Sequence, residues 1–143
     1  MLRSLVGSEM CIRDRYEAAA ILQTVKDEVA EKLGKLELST RIVRNLEQTR
    51  SGGFDLTGTF NYAVEVKFQE QFALNDWWHQ AVTQCPDHMI PVLMYRKAGV
   101  KFRVRMFTYA LVGTRRVRVL SDMDLISFLT IFRLHCEDEF KKL

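Results

Sequence analysis

The sequence predicts an α/β domain in which helices pack on a mixed β-sheet. Three observations predict it. Residues 16–33 place Ala18, Ile21, Leu22, Val25, Val29 and Leu33 at three- and four-residue steps, the period of an amphipathic helix. Residues 89–95, Met-Ile-Pro-Val-Leu-Met-Tyr, form a nearly continuous apolar run of strand length, as an interior strand does. Two other stretches alternate: Val64, Val66 and Phe68 with Glu65, Lys67 and Gln69, and Phe102, Val104 and Met106 with Lys101, Arg103 and Arg105. At 143 residues, 48% apolar and 27% charged, the chain has room for one domain and one core.

Residues 1–15 differ in composition from the rest of the chain and have no clear period. Their Ser-Leu-Val-Gly-Ser-Glu-Met-Cys-Ile-Arg-Asp-Arg resembles a translated sequencing-adapter read-through, so the domain is expected over 16–143 and no function is assigned to Glu9, Cys11 or Asp14. Gly34 is a stop signal for the first helix. Leu36, Leu38, Ile42 and Val43 predict a short strand within 36–45, leading to a polar loop over 46–50. Residues 52–69 read as two short strands joined by a tight reversal at 58–61. Residues 72–84 read as a helix, with Asn75 or Asp76 near its start and Cys85-Pro86 ending it. Trp77 and Trp78 adjoin and cannot share a helix face, so one is expected under the sheet and the other toward the cleft. Pro91 sets the start of the next strand at or after itself. A turn at 97–99 leads into a strand over 100–107 with a basic outer face, and 117–120 adds a short edge strand. Residues 121–124, Ser-Asp-Met-Asp, cap a last helix to about residue 134 with Leu125, Phe128, Leu129 and Phe132 inward, and 137–143 are expected to fray.

The reversal carries the chemistry. The residues flanking Glu65 and Lys67 are large and apolar, which suggests a strand buried on both sides, and a polar row there needs a reason. With the reversal centred near Phe60, Asp55 falls almost opposite Glu65, and cross-strand neighbours lie roughly 5 Å apart. Two carboxylates at that separation repel unless one takes a proton or a cation sits between them. A hard divalent ion with oxygen ligands resolves the conflict, Mg²⁺ above all, with Mn²⁺ as the alternative. Lys67 shares the face of Glu65 and is placed to hold a water or steady developing negative charge. This is the chemistry of metal-assisted phosphodiester hydrolysis.

The net charge of +3 is small, but its distribution is uneven. Between Arg96 and Arg118 stand eight Lys or Arg and no acidic residue, a stripe of the kind that phosphate backbones attract, with Lys101, Arg103 and Arg105 as candidate contacts. The three cysteines, Cys11, Cys85 and Cys136, are widely spaced and suit a reducing compartment rather than a disulfide framework or zinc site. His79, His88 and His135 have no ligand spacing with them. No apolar run approaches the ~20 residues of a membrane span, and no long apolar stretch at the start indicates export.

Asp55 followed by Glu65-Val66-Lys67 resembles the Asp…Glu-x-Lys signature of the PD-(D/E)XK nuclease superfamily. The wider run Arg44-Asn45-Leu46-Glu47-Gln48-Thr49-Arg50-Ser51-Gly52-Gly53-Phe54-Asp55, with Trp77-Trp78-His79-Gln80 downstream, resembles phage and prophage proteins described as Holliday-junction-resolvase-like endonucleases. The resemblance covers residues 16–120. It implies a restriction-endonuclease-like α/β/α domain of three layers with a central mixed sheet. It also implies a Mg²⁺-dependent DNA endonuclease acting on branched or Holliday-junction DNA, in the cytoplasm of a phage-infected or prophage-carrying bacterial cell. Asp55 and Glu65 are then metal ligands, with the backbone carbonyl of Val66 a further one. Lys67 assists the attacking water, and Gln69 and Gln80 orient groups around it. The family often adds a glutamate from its first helix, for which Glu17 fits the aromatic-Glu-x-x-Ala pattern best and Glu28 second. Arg44 and Arg50 lie on the loop expected near DNA, and a homodimer would supply two sites for two symmetric cuts. The residues leave three other readings open: a nuclease without branch preference, a non-cleaving nucleic-acid-binding module on the same fold, and a small α/β protein with a chance Glu-x-Lys.

Overall fold

The computed structural model describes residues 2–46, 53–68 and 73–143, residues 2–11 through their backbone alone. Helix α1 (Leu2–Lys32) leads through a 3-10 turn (Leu36–Leu38) into strands β1 (Val43–Arg44), β2 (Leu56–Thr57) and β3 (Tyr62–Phe68). Helix α2 (Leu74–Gln84), strands β4 (Ile90–Arg96), β5 (Arg103–Val112) and β6 (Arg115–Asp124), and helix α3 (Leu125–Lys141) complete the chain. The six strands lie side by side in chain order. β3 and β4 are parallel and all other neighbours antiparallel. A parallel pair needs a crossover connection, and α2 lies in it.

The two-residue period of the strands sorts the layers. Val64, Val66, Val92, Met94, Val104 and Met106 point to one face, where α1 and α3 cover them. Leu93 and Tyr95 point to the other, where they meet Trp77, Trp78 and Ala81 of α2. The sheet is therefore sandwiched between helices, and β3 is buried on both sides as its flanking residues predict.

Several elements differ from expectation for identifiable reasons. α1 continues back through the adapter-like segment to Leu2 instead of starting at residue 16. The strand expected over 36–45 shrinks to Val43–Arg44, because Leu36 and Leu38 sit exposed in the 3-10 turn. α2 starts at Leu74, two residues after the expected 72, with Asn75 and Asp76 in its first turn as expected, and Ala73 before it supplies no side-chain cap. Both tryptophans are buried: neighbours ~100° apart on a helix flank one broad contact face, and Trp78 turns its edge to the Phe107 ring at 5.3 Å. β5 and β6 run ten residues each, since they pair with one another along their whole length up to Val112 and Arg115. α3 begins as expected, with Asp124 accepting from the Ser127 amide at 2.7 Å, but does not fray at 137. Phe128, Phe132, Cys136 and Phe140 recur every four residues and are fully buried, a stripe that the charged residues between Cys136 and Phe140 disguise.

The reversal between β2 and β3 fixes everything at the site. Leu56 pairs with Val64, which centres the turn on Phe60, itself at φ +57°. Lys26 of α1 is buried and donates from Nζ to the Gly58 carbonyl (2.7 Å), the Thr40 carbonyl (2.8 Å) and Thr40 Oγ1 (3.0 Å). Gly58 adopts φ +91°, and a Cβ there would lie 2.5 Å from the Arg41 carbonyl oxygen. Gly58→Ala is therefore expected to destabilise the fold by roughly 2–4 kcal/mol, from backbone strain plus a clash with main chain. Urea denaturation checks it; an unchanged midpoint would mean that the reversal yields without cost.

Candidate active site

The site is built where β2 parts from β3. The Asp55 amide donates to the Val64 carbonyl at 2.9 Å. The chain then turns toward Asn45, whose amide donates to the Asp55 carbonyl (2.7 Å) and whose Nδ2 donates to the Phe54 carbonyl (3.0 Å). This leaves the Val66 amide to a side chain, and Asp55 Oδ2 accepts it at 2.8 Å. The Asp55 carboxylate thus takes a ladder position beside β3, and the register sets it opposite Glu65 as expected.

Both carboxylates are withdrawn from water, Asp55 at 1% exposure and Glu65 at 4%. Burial, and next the Asp55 carboxylate beside it, push the Glu65 carboxyl up to about 8, while Lys67 and Arg15 pull it down. Oε1 of Glu65 is buried and has no hydrogen-bond partner. Arg15 Nη2 stands 3.3 Å from Asp55 Oδ1, while its own Nε is buried without a partner. Two buried carboxylates, one with an orphaned oxygen, form a donor set that fits a hard divalent ion. Mg²⁺ suits such a pair because it keeps several waters and needs only one or two carboxylates. Among the described residues no cluster of three or more His, Cys, Asp or Glu forms, so no third carboxylate joins this pair.

Lys67 is half-buried on the same face as Glu65. In the sheet register it aligns with Tyr95, and Tyr95 with Arg103, so a polar row crosses three neighbouring strands. The Tyr95 hydroxyl donates to Asp122 Oδ1 at 3.1 Å. Arg105 grips the same carboxylate through Nε (2.9 Å) and Nη2 (2.7 Å) and reaches Asn75 Oδ1 at 3.2 Å. That pairing holds Asp122 below the usual carboxylate range. Arg105, expected as a phosphate contact, is thus committed to Asp122, whereas Lys101 and Arg103 are exposed.

The remaining expected residues are scattered. Glu17 does not join Asp55 and Glu65: it pairs with Arg96, which also holds the buried Asp14 through Nη2 at 2.6 Å. Arg96 stacks over Phe102 on the α1 side of the sheet, across from Lys67. Asp14, given no role on sequence grounds, is an anchor of α1, because a fully buried carboxylate must be paired. Glu28 is also drawn away, to Arg133 at 2.9 Å. Gln80 is exposed on α2, and no hydrogen bond joins it to either carboxylate. Arg44 is exposed on β1 and, with Arg15 and Arg41, lines a cavity of about 240 Å³ between α1 and the β1 edge. Val66 gives its amide to Asp55 and its side chain to the core. Gln69 and Arg50 lie outside the described residues.

Sequence reasoning missed Asn45 and Arg15. Asn45 lies in the run that carries the resemblance, and its amide side chain at the end of a strand was the available signal; nothing in the sequence pointed Arg15 at Asp55. No family model, curated protein or solved structure matches this chain. No helix among the described residues is long and apolar enough to cross a membrane.

Proposed function

We propose that this chain is a Mg²⁺-dependent DNA endonuclease of the restriction-endonuclease-like fold, acting on branched DNA in phage DNA metabolism, with two copies supplying two cuts. The single observation that carries the reading is the buried Asp55–Glu65 pair with its orphaned Oε1, flanked by Lys67. Burying two carboxyl groups side by side is costly, and Arg15 on Asp55 leaves Glu65 Oε1 without a hydrogen-bond partner, an arrangement that favours binding of a further cation. The sandwiched mixed sheet and the Asp…Glu-x-Lys spacing support the same reading.

Asp55 and Glu65 would hold the ion, which when bound polarises a phosphodiester and lowers the pKa of a coordinated water. The protein's own groups do the rest. The Val66 amide fixes the Asp55 carboxylate in one rotamer, and Asn45 holds the backbone that presents it. Lys67 supplies a cation beside Glu65 where negative charge develops on the phosphate. Arg103 and Lys101 extend that positive row for the flanking backbone.

The Arg15–Asp55 contact favours a second reading, a DNA-binding module whose carboxylates are satisfied by a guanidinium instead of a metal. Cleavage of a labelled four-way junction beside a linear duplex of the same sequence separates the two. The expected result is cutting of the junction with Mg²⁺, none with EDTA, and a loss of at least about a hundredfold for Asp55→Asn. Equal cutting of both DNAs removes the branch preference, and salt-sensitive binding without cutting establishes the module.

A further inference from the structure

β4 pairs with β5 only through residues 103–106, yet β5 and β6 continue together to Val112 and Arg115. Beyond that ladder they form a two-stranded ribbon closed by Gly113-Thr114. Isolated two-stranded ribbons are marginal in water. This one also exposes large apolar side chains at its far end: Tyr109 is 57% exposed, Leu111 79% and Val112 51%. Exposed apolar groups gathered at a projecting tip mark a contact surface.

Charge says what it contacts. The ribbon carries Arg115, Arg116 and Arg118, and the chain holds no acidic residue from 97 to 121. A second copy would set arginine against arginine, whereas a polyanion is complementary. The rows on one ribbon face sharpen the choice. Arg118 lies over the Phe107 ring and Arg116 over the Tyr109 ring, each at 4.1 Å, so flat guanidinium and aromatic surfaces alternate toward Leu111. Alternating planes of this kind take up unstacked nucleobases, and apolar tips enter base steps that are already open.

We infer that the β5–β6 ribbon is a DNA-binding arm, with Tyr109 and Leu111 entering unstacked base steps of branched DNA while Arg115, Arg116 and Arg118 hold the adjoining phosphates. The inference rests on the DNA reading of the carboxylate site and adds the element that distinguishes a branch from a duplex, which the carboxylate pair does not.

The test measures binding in EDTA, so that cleavage plays no part. Fluorescence anisotropy is recorded for a four-way junction and a duplex, with 2-aminopurine at the branch point as a second readout. Wild type is expected to favour the junction and brighten the 2-aminopurine. Tyr109→Ser/Leu111→Ser should lose roughly tenfold in junction affinity and all of the brightening, with duplex affinity within about twofold. Arg116→Gln/Arg118→Gln should weaken both DNAs and lower the salt slope by about one per arginine. Leu111→Ser alone, at the most exposed position, guards against a folding defect. Tip variants that keep the wild-type junction preference overturn the arm but leave the DNA reading intact. So does a shift from dimer to monomer on sedimentation with DNA binding unchanged, which makes the ribbon an interface between copies. Wild-type protein that binds neither DNA at any salt overturns the DNA reading itself.

Discussion

Lys67→Ala is expected to lower DNA cleavage by about two to three orders of magnitude and to leave DNA binding within about twofold, as loss of a preorganised charge at the reacting phosphate does. The expectation follows from position. Lys67 shares the face of Glu65 one pleat along the same strand, and it is the foremost of the groups that lower the Glu65 carboxyl. Its ammonium therefore acts at the carboxylates and at whatever negative charge develops beside them. On the proposed nuclease reading, ground-state affinity would rest on more distant cations, Lys101, Arg103 and the arginines of the ribbon, which the substitution leaves in place. Single-turnover cleavage and anisotropy on the same DNA separate the two effects. Equal loss of both would make Lys67 a phosphate anchor rather than a group that acts on the reaction.

The site was legible where local pattern dictates geometry. The alternation over β3 and the spacing of the reversal gave the Asp55–Glu65 register, because a tight turn and a two-residue period leave little freedom. The layers followed from the same alternation. What was not legible depended on where helices dock. Glu17 fitted a sequence pattern, but its partner is chosen by Arg96, 79 residues away, and no local rule anticipates that pair. Arg15 reaches Asp55 for the same reason: the rotation of α1 about its axis is set by core packing of Ala18, Leu22, Val25 and Val29. The long β5–β6 ribbon hid behind its arginines, which break the apolar alternation that marks a strand. The end of α3 hid likewise, because Glu137, Asp138 and Glu139 read as a solvated tail although Cys136 and Phe140 on either side are core.

The pH dependence of stability offers a test that needs no substrate. An ordinary carboxyl near 4.5 titrates in the unfolded chain, whereas Glu65 in the folded protein holds its proton up to about 8. Between those values the folded state binds a proton that the unfolded state lacks, so stability falls as pH rises. In EDTA, the melting temperature relative to Glu65→Gln is thus expected to decline from pH 5 to pH 9, the Glu65 contribution being on the order of a few kcal/mol; the comparison cancels His135, which burial lowers and which works in the opposite sense. A divalent ion that binds the ionised pair stabilises the folded form alone, so Mg²⁺ should raise the melting temperature most at the alkaline end and flatten the decline. Glu65→Gln keeps the shape of the side chain but cannot ionise. It should remove the Glu65 part of the slope and the Mg²⁺ response, and should be more stable than wild type at pH 9 in EDTA. Parallel wild-type and Glu65→Gln profiles in EDTA would show that Glu65 carries no proton at neutral pH. A sloping profile that Mg²⁺ leaves untouched would keep the strained carboxylate pair but take the metal away, and Arg15 on Asp55 would then be the cation that the site was built to hold.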